Sequence, residues 1–130
     1  MRPTAPGAEG RSAMRELNQA IEVLLPGIER EMRDVIQDLE PRESDLVGYL
    51  RYHLGWADAG LQASDGRAGK RLRPLLCLLS CQACGGASEQ ALPAAAGIEF
   101  LHNFTLIHDD IQDGDKQRRG RPTVWSLWGE

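Results

Sequence analysis

No apolar run in this chain approaches the ~20 residues that a membrane-spanning helix requires. Leu75 to Leu79 is short, and polar residues follow it, so no integral membrane segment is expected. Met1 to Gly10 lacks the apolar centre of a secretory leader and reads as a disordered lead-in, which makes the cytoplasm the default location. Strand signals are nearly absent. No run alternates apolar with polar β-branched residues, no hairpin dipeptide separates two such runs, and there are no internal repeats. A basic excess is missing too: the net charge of −4 does not suit nucleic acid or an anionic membrane as a partner for the whole chain. An even set of cysteines is also lacking. Cys77, Cys81 and Cys84 follow the iron–sulfur spacing of radical enzymes, yet the same spacing recurs on one face of a helix, and a regular helix does not easily converge three thiolates. They sit among Leu75, Leu76, Leu78 and Leu79, where free cysteine behaves as a small hydrophobe.

What remains is helical. The 130 residues fit one domain, and the hydrophobic share of 42% is ample for a core. Leu17, Ala20, Ile21, Leu24 and Leu25 follow three–four spacing until Pro26-Gly27, which is expected to interrupt the helix. A second pattern (Ile28, Met32, Val35, Ile36, Leu39) runs to Pro41, and Ser44 can cap a third that ends near Gly55. Gln62 to Gly69 reads as a loop. Arg71 to Ala83 is a strongly apolar helix with Pro74 in its first turn, stopped by Gly85-Gly86. Ser88 or its neighbour opens a long helix through Asp113. Gly114 to Pro122 is a charged loop, and Thr123 can cap a last short helix. The expected fold class is an all-α bundle.

The long helix carries the chemistry. At ~100° per residue, His102 and Asp109 are nearly eclipsed, Asp113 lies one turn beyond, and Asp110 points about 100° aside. Carboxylates one turn apart suit a hard divalent cation that also takes phosphate oxygens and water. Asp109, Asp110, Asp113 and Asp115 are equally readable as a solvated helix end, although acids are unfavourable at the negative end of a helix dipole. Lys116, Arg118, Arg119 and Arg121 follow directly, while Lys70, Arg71 and Arg73 precede another helix. Guanidinium forks match phosphate oxygens, so acids for magnesium beside bases for phosphate describe a diphosphate site. The arginines also admit a plainer reading, as ion pairs that neutralise the acids.

Gly69-Lys70-Arg71-Leu72-Arg73-Pro74, the run His102 to Asp113, and Arg118-Arg119-Gly120-Arg121-Pro122-Thr123 resemble, in order and spacing, three motifs of the trans-isoprenyl diphosphate (polyprenyl) synthases. The resemblance spans about Leu46 to Glu130. It implies the helical bundle of that family, with residues 11–130 as its N-terminal half. It further implies that Lys70, Arg73, His102 and Arg119 bind the diphosphate of isopentenyl diphosphate. Asp109 and Asp113 would hold Mg2+ against the allylic diphosphate, with Asp110 assisting and Arg118 contacting that diphosphate. The implied reaction is ionisation of the allylic diphosphate, attack by the isopentenyl double bond, then proton loss. Phe104 and Thr105, five and four residues before Asp109, sit where the family limits chain length, and they resemble the archaeal-type geranylgeranyl synthases, with a farnesyl product next. No second Asp-Asp-x-x-Asp occurs, so the polypeptide is expected to be an N-terminal fragment, inactive alone, that buries its open face by homo-oligomerisation or against a complementing C-terminal half. The competing expectation is a non-catalytic regulatory subunit of such a synthase. A terpene cyclase would not need Lys70, Arg73 and His102.

Overall fold

The computed structural model describes residues 8–39, 44–65 and 69–129. Among the described residues, five helices account for nearly all regular structure: α1 (Ala8–Leu39), α2 (Ser44–His53), α3 (Leu72–Ala83), α4 (Ser88–Asp113) and α5 (Val124–Trp128). The chain is all-α, as its periodicity requires. Of the expected lead-in, residues 1–7 lie outside the described residues, and α1 begins at Ala8.

Pro26-Gly27 does not interrupt α1, which runs unbroken through it. Proline in a helix interior costs about 3 kcal/mol through its lost N–H bond and its ring. Against that stand Leu24, Ile28, Met32 and Ile36, one stripe at four-residue spacing, all buried in the core. Each buried aliphatic side chain contributes roughly 1.5–3 kcal/mol, so the stripe outweighs the proline. Pro26 itself is on the exposed side, and a Cβ on Gly27 would meet Leu92 at 3.6 Å, an ordinary contact with α4.

The core joins this stripe to Val47, Leu54, Trp56, Leu75, Leu78, Ala95 and Ala96. Helices α3 and α4 pack along one another, and α1 lies across both. Small residues at Ala95 and Ala96 allow the close approach. Gly114, at φ 69°, closes α4 in the left-handed conformation that glycine adopts without steric cost.

Two details of the expected loops differ. Gln117–Arg118 (β1) and Arg121–Pro122 (β2) form a two-stranded antiparallel ribbon inside the segment read as a loop. Its turn uses Arg119 at φ 54° and Gly120 at φ 77°, and such short strands carry no periodic signal. Thr123 does occupy the N-cap of α5, but its hydroxyl donates to Asp115 O at 2.8 Å instead of capping the helix. Cys77 and Cys81 are half-buried, Cys84 is exposed, and all three are free. Leu72, Leu76, Ile98, Leu101 and Phe104 leave an exposed apolar surface on α3 and α4. Among the described residues, no helix is long and apolar enough to cross a membrane.

Candidate diphosphate and metal site

The turn entering α3 sets the first part of the site. Arg71 is the N-cap in the left-handed region (φ 50°, ψ 34°), a conformation that costs an L-residue roughly 1–2 kcal/mol. Its side chain is held from three sides. Nε donates to Glu29 Oε1 at 2.6 Å, Nη1 donates to Glu99 Oε1 at 3.0 Å, and the guanidinium lies 5.9 Å from the Trp56 ring. Glu99 also accepts from Asn103 Nδ2, at its backbone oxygen (2.8 Å) and at Oε1 (3.1 Å). This buried network of Glu29, Arg71, Glu99 and Asn103 is the part that residue-by-residue reading missed.

The flanking cations face outward. Lys70 is exposed, and Arg73 Nη1 stands 3.0 Å from His102 Nε2, joining α3 to α4. Burial and then Arg73 hold His102 below its usual pKa of 6.5, so the imidazole is neutral near pH 7. Arg119 folds back over Gly69: a Cβ there would meet its guanidinium at 3.1 Å. Burial, Arg71 and Arg118 lower the Arg119 pKa, in that order, while Glu99 and Asp110 support its charge. Arg73 and His102 are thus brought together between α3 and α4, and Arg119 comes against Gly69, next to the exposed Lys70 in the chain.

On the acidic side, Asp109 and Asp113 are exposed, one helical turn apart, and make no side-chain hydrogen bond or ion pair among the described residues. Asp110, on another face of α4, is buried and accepts from Arg118: Nε at 2.9 and 3.1 Å, Nη2 at 2.8 Å. That hydrogen bond is the main cause of a raised Arg118 pKa. So Asp110 is committed to Arg118, while Asp109 and Asp113 keep their oxygens free. No group of three His, Cys, Asp or Glu side chains among the described residues is arranged to hold a metal. Two free carboxylates do fit a magnesium ion, which commonly takes one or two from protein and completes its shell with phosphate oxygens and water.

Arg121 turns away from the other cations. Its Nη1 donates to Tyr52 O at 3.1 Å, Nη2 donates to Ala57 O at 2.7 Å, and the guanidinium stacks 4.0 Å from the Tyr52 ring. Tyr52 returns a bond from its hydroxyl to Pro122 O at 2.7 Å, so ribbon and α2 are locked reciprocally. Behind this lock lies His53, whose Nε2 is buried without a hydrogen-bond partner among the described residues. Burial first, and Arg119 next, push its pKa down to about 4. A cavity of about 20 Å³, room for roughly one water, separates His53 from Asp110, Arg118 and Arg119.

Phe104 is exposed, with its ring 4.4 Å from that of His108. Thr105 is exposed and its hydroxyl donates to His102 O at 2.7 Å. Ile98, Leu101, His102, Thr105 and Arg73 line a surface groove between α3 and α4.

The fold is one already seen in a solved polyprenyl synthetase from Streptomyces coelicolor, with a TM-score of 0.77 and 38% identity over 87% of this chain and 32% of that one. Residues 56–130 match the family model described as polyprenyl synthetase. The chain belongs to the polyprenyl synthetase family. It is 47% identical over 91 residues to a geranylgeranyl diphosphate synthase of Mycobacterium tuberculosis, covering 70% of this chain and 26% of that protein. It is 39% identical over 120 residues to a (2E,6E)-farnesyl diphosphate synthase of Mycobacterium bovis, covering 92% of this chain and 32% of that protein. The chain therefore spans about a third or less of the length of these relatives.

Proposed function

We propose that this chain supplies the first diphosphate-binding and metal-binding half-site of a magnesium-dependent prenyltransferase. The reaction joins isopentenyl diphosphate to an allylic diphosphate and gives a short-chain product, geranylgeranyl or farnesyl diphosphate. The observation that carries this reading is a division of charge. Asp109 and Asp113 are uncommitted carboxylates one turn apart on α4, the helix on which His102 meets Arg73, and Arg119 folds over Gly69 next to Lys70 in the chain. An apolar ligand has no use for that pairing, whereas a magnesium-bound diphosphate uses both parts.

In this reading the allylic C–O bond breaks and its electron pair leaves with pyrophosphate. The isopentenyl π bond forms the new C–C bond, and a proton is lost from the adjacent carbon. Magnesium held by Asp109 and Asp113 would offset the charge of the departing pyrophosphate. Lys70, Arg73 and Arg119 hold the isopentenyl diphosphate, and His102 adds a hydrogen bond beside Arg73. Arg118, anchored by Asp110 through Nε and Nη2, would contact the allylic diphosphate with its remaining N–H groups. Phe104 and Thr105 precede Asp109 on α4 and would limit the growing chain.

The 130 residues contain a single aspartate-rich run, so on their own they are proposed to bind diphosphate without turnover. The exposed apolar surface of α3 and α4 would then be buried against a complementing segment or a second copy. That single run also favours a second reading, a regulatory subunit of a complete synthase, which mixing with a full-length relative and assaying its product would reveal.

The direct test is calorimetric titration of the chain with inorganic pyrophosphate, with and without Mg2+. Binding should require Mg2+ and weaken by roughly tenfold or more in Asp109→Ala and Asp113→Ala, the loss of one charge-assisted ligand. Binding that ignores both Mg2+ and these substitutions would refute the proposal. Prenyl product from the chain and both substrates would refute inactivity of the 130 residues alone.

A further inference from the structure

Arg71 sits among the basic residues of the site, yet it cannot act as they do. Its side chain is 1% exposed, and Nε and Nη1 are already given to Glu29 and Glu99. Nothing outside the protein can reach it. Its place in the chain is nonetheless strategic. Lys70 precedes it, Arg73 follows two residues later, and Glu99 lies three residues before His102 on α4.

We propose that the Glu29–Arg71–Glu99 triad, centred on buried Arg71, is a positioning unit that holds Lys70, Arg73, His102 and Arg119 together as one anion-binding face. The proposal rests on the diphosphate reading above.

Geometry carries it. The Arg71–Glu99 bond ties the first turn of α3 to α4, and one step outward the same two helices meet again at Arg73 and His102, 3.0 Å apart. The Arg71–Glu29 bond adds α1 as a third wall. Asn103 holds the Glu99 carboxylate from below, so Oε1 is fixed by two donors. The left-handed backbone at Arg71 turns its own side chain inward and leaves Lys70 and Arg73 exposed.

Charge supports the same role. Two carboxylates meet one guanidinium, which leaves the triad negative beneath a cluster of cations. Such a layer offsets repulsion among Arg73, Arg118 and Arg119 without occupying the faces they turn to a ligand. The influence of Glu99 reaches both Arg119 and His102, where it supports the protonated form. A planar fork suits this geometry: lysine keeps the charge, but its donors all sit on one nitrogen, whereas Arg71 reaches Glu29 and Glu99 from two separate nitrogens, Nε and Nη1.

The test is Arg71→Lys, which preserves charge, read in two ways on the free chain. NMR titration follows the His102 ring, and calorimetry follows affinity for inorganic pyrophosphate with Mg2+. If the triad positions Arg73, His102 should lose its close cationic neighbour and titrate nearer 6.5, and affinity should fall roughly tenfold. A lower melting temperature with an unchanged His102 titration and unchanged affinity would overturn the proposal and leave Arg71 a purely structural residue. Should Arg71→Lys fail to fold, Glu29→Gln changes the more exposed partner (24% against 4% for Glu99) and should move both readouts in the same direction by a smaller amount; no movement there would equally overturn it. If the unaltered chain binds no pyrophosphate, the diphosphate reading fails, while the His102 titration still decides whether Arg71 positions Arg73.

Discussion

His53 gives the stability of this chain a defined dependence on pH. It ends α2, where the helix dipole favours a charged imidazolium, yet burial dominates and its pKa falls to about 4 from the usual 6.5. Arg119 and Arg118 push the same way, and Asp110 and Asn103 only partly oppose them. Because the folded-state pKa is depressed, the stabilising effect is complete above about pH 6.5, where both states are neutral. As pH falls from 6.5 towards 4, the unfolded chain takes up a proton that the folded chain refuses. At 1.36 kcal/mol per unit, a difference of about 2.5 units amounts to about 3 kcal/mol. Urea unfolding followed by circular dichroism between pH 7.5 and 4.5 measures this loss. In His53→Gln the carboxylates still titrate but the imidazole does not. The pH dependence should therefore flatten by about 2–3 kcal/mol over that range, or several degrees of melting temperature. Equal slopes in the two proteins would refute the reasoning, as would an NMR titration placing His53 near 6.5.

Two further predictions concern how the ribbon is held. In a double-mutant cycle, Asp110→Asn and Arg118→Gln should be coupled by about 1–2 kcal/mol, below the 3–5 kcal/mol of a fully buried pair because the Arg118 side chain is 29% exposed and rehydrates. Additive effects in urea unfolding would show that the bidentate contact is not formed in solution. Arg121→Met should cost about 2 kcal/mol through two lost bonds to Tyr52 O and Ala57 O, and should speed amide exchange at Arg118 and Thr123. Unchanged exchange there would mean that Arg121 does not hold the ribbon.

Much of this arrangement was legible because helices are periodic. The stripe of His102, Asp109 and Asp113 follows from 3.6 residues per turn, and the sideways direction of Asp110 follows from the same arithmetic. Glycine pairs and proline placement marked both ends of α3. Pro26 misled for a definite reason. Its rule is local, whereas the stripe from Leu24 to Ile36 gains its energy from α3 and α4, which lie far along the chain.

The basic residues were harder, because like charges look alike until a tertiary partner separates them. Lys70, Arg71 and Arg73 read as one cationic run, but the partners of Arg71 lie 42 and 28 residues away. Arg121 likewise reads as a fourth phosphate ligand beside Arg118 and Arg119, while its acceptors are carbonyls 69 and 64 residues upstream. In each cluster one arginine is spent inward. A face built to receive a multiply charged anion must hold several cations close together before the anion arrives, and their repulsion is unfavourable in a partly buried setting. Glu99 and Asp110, both buried on α4, place negative charge close to these cations, Glu99 bonded to the inward Arg71 and Asp110 to Arg118. Thus the residues proposed to receive the anion are readable by type and spacing. Those proposed to keep the receiving face assembled are readable only from the fold.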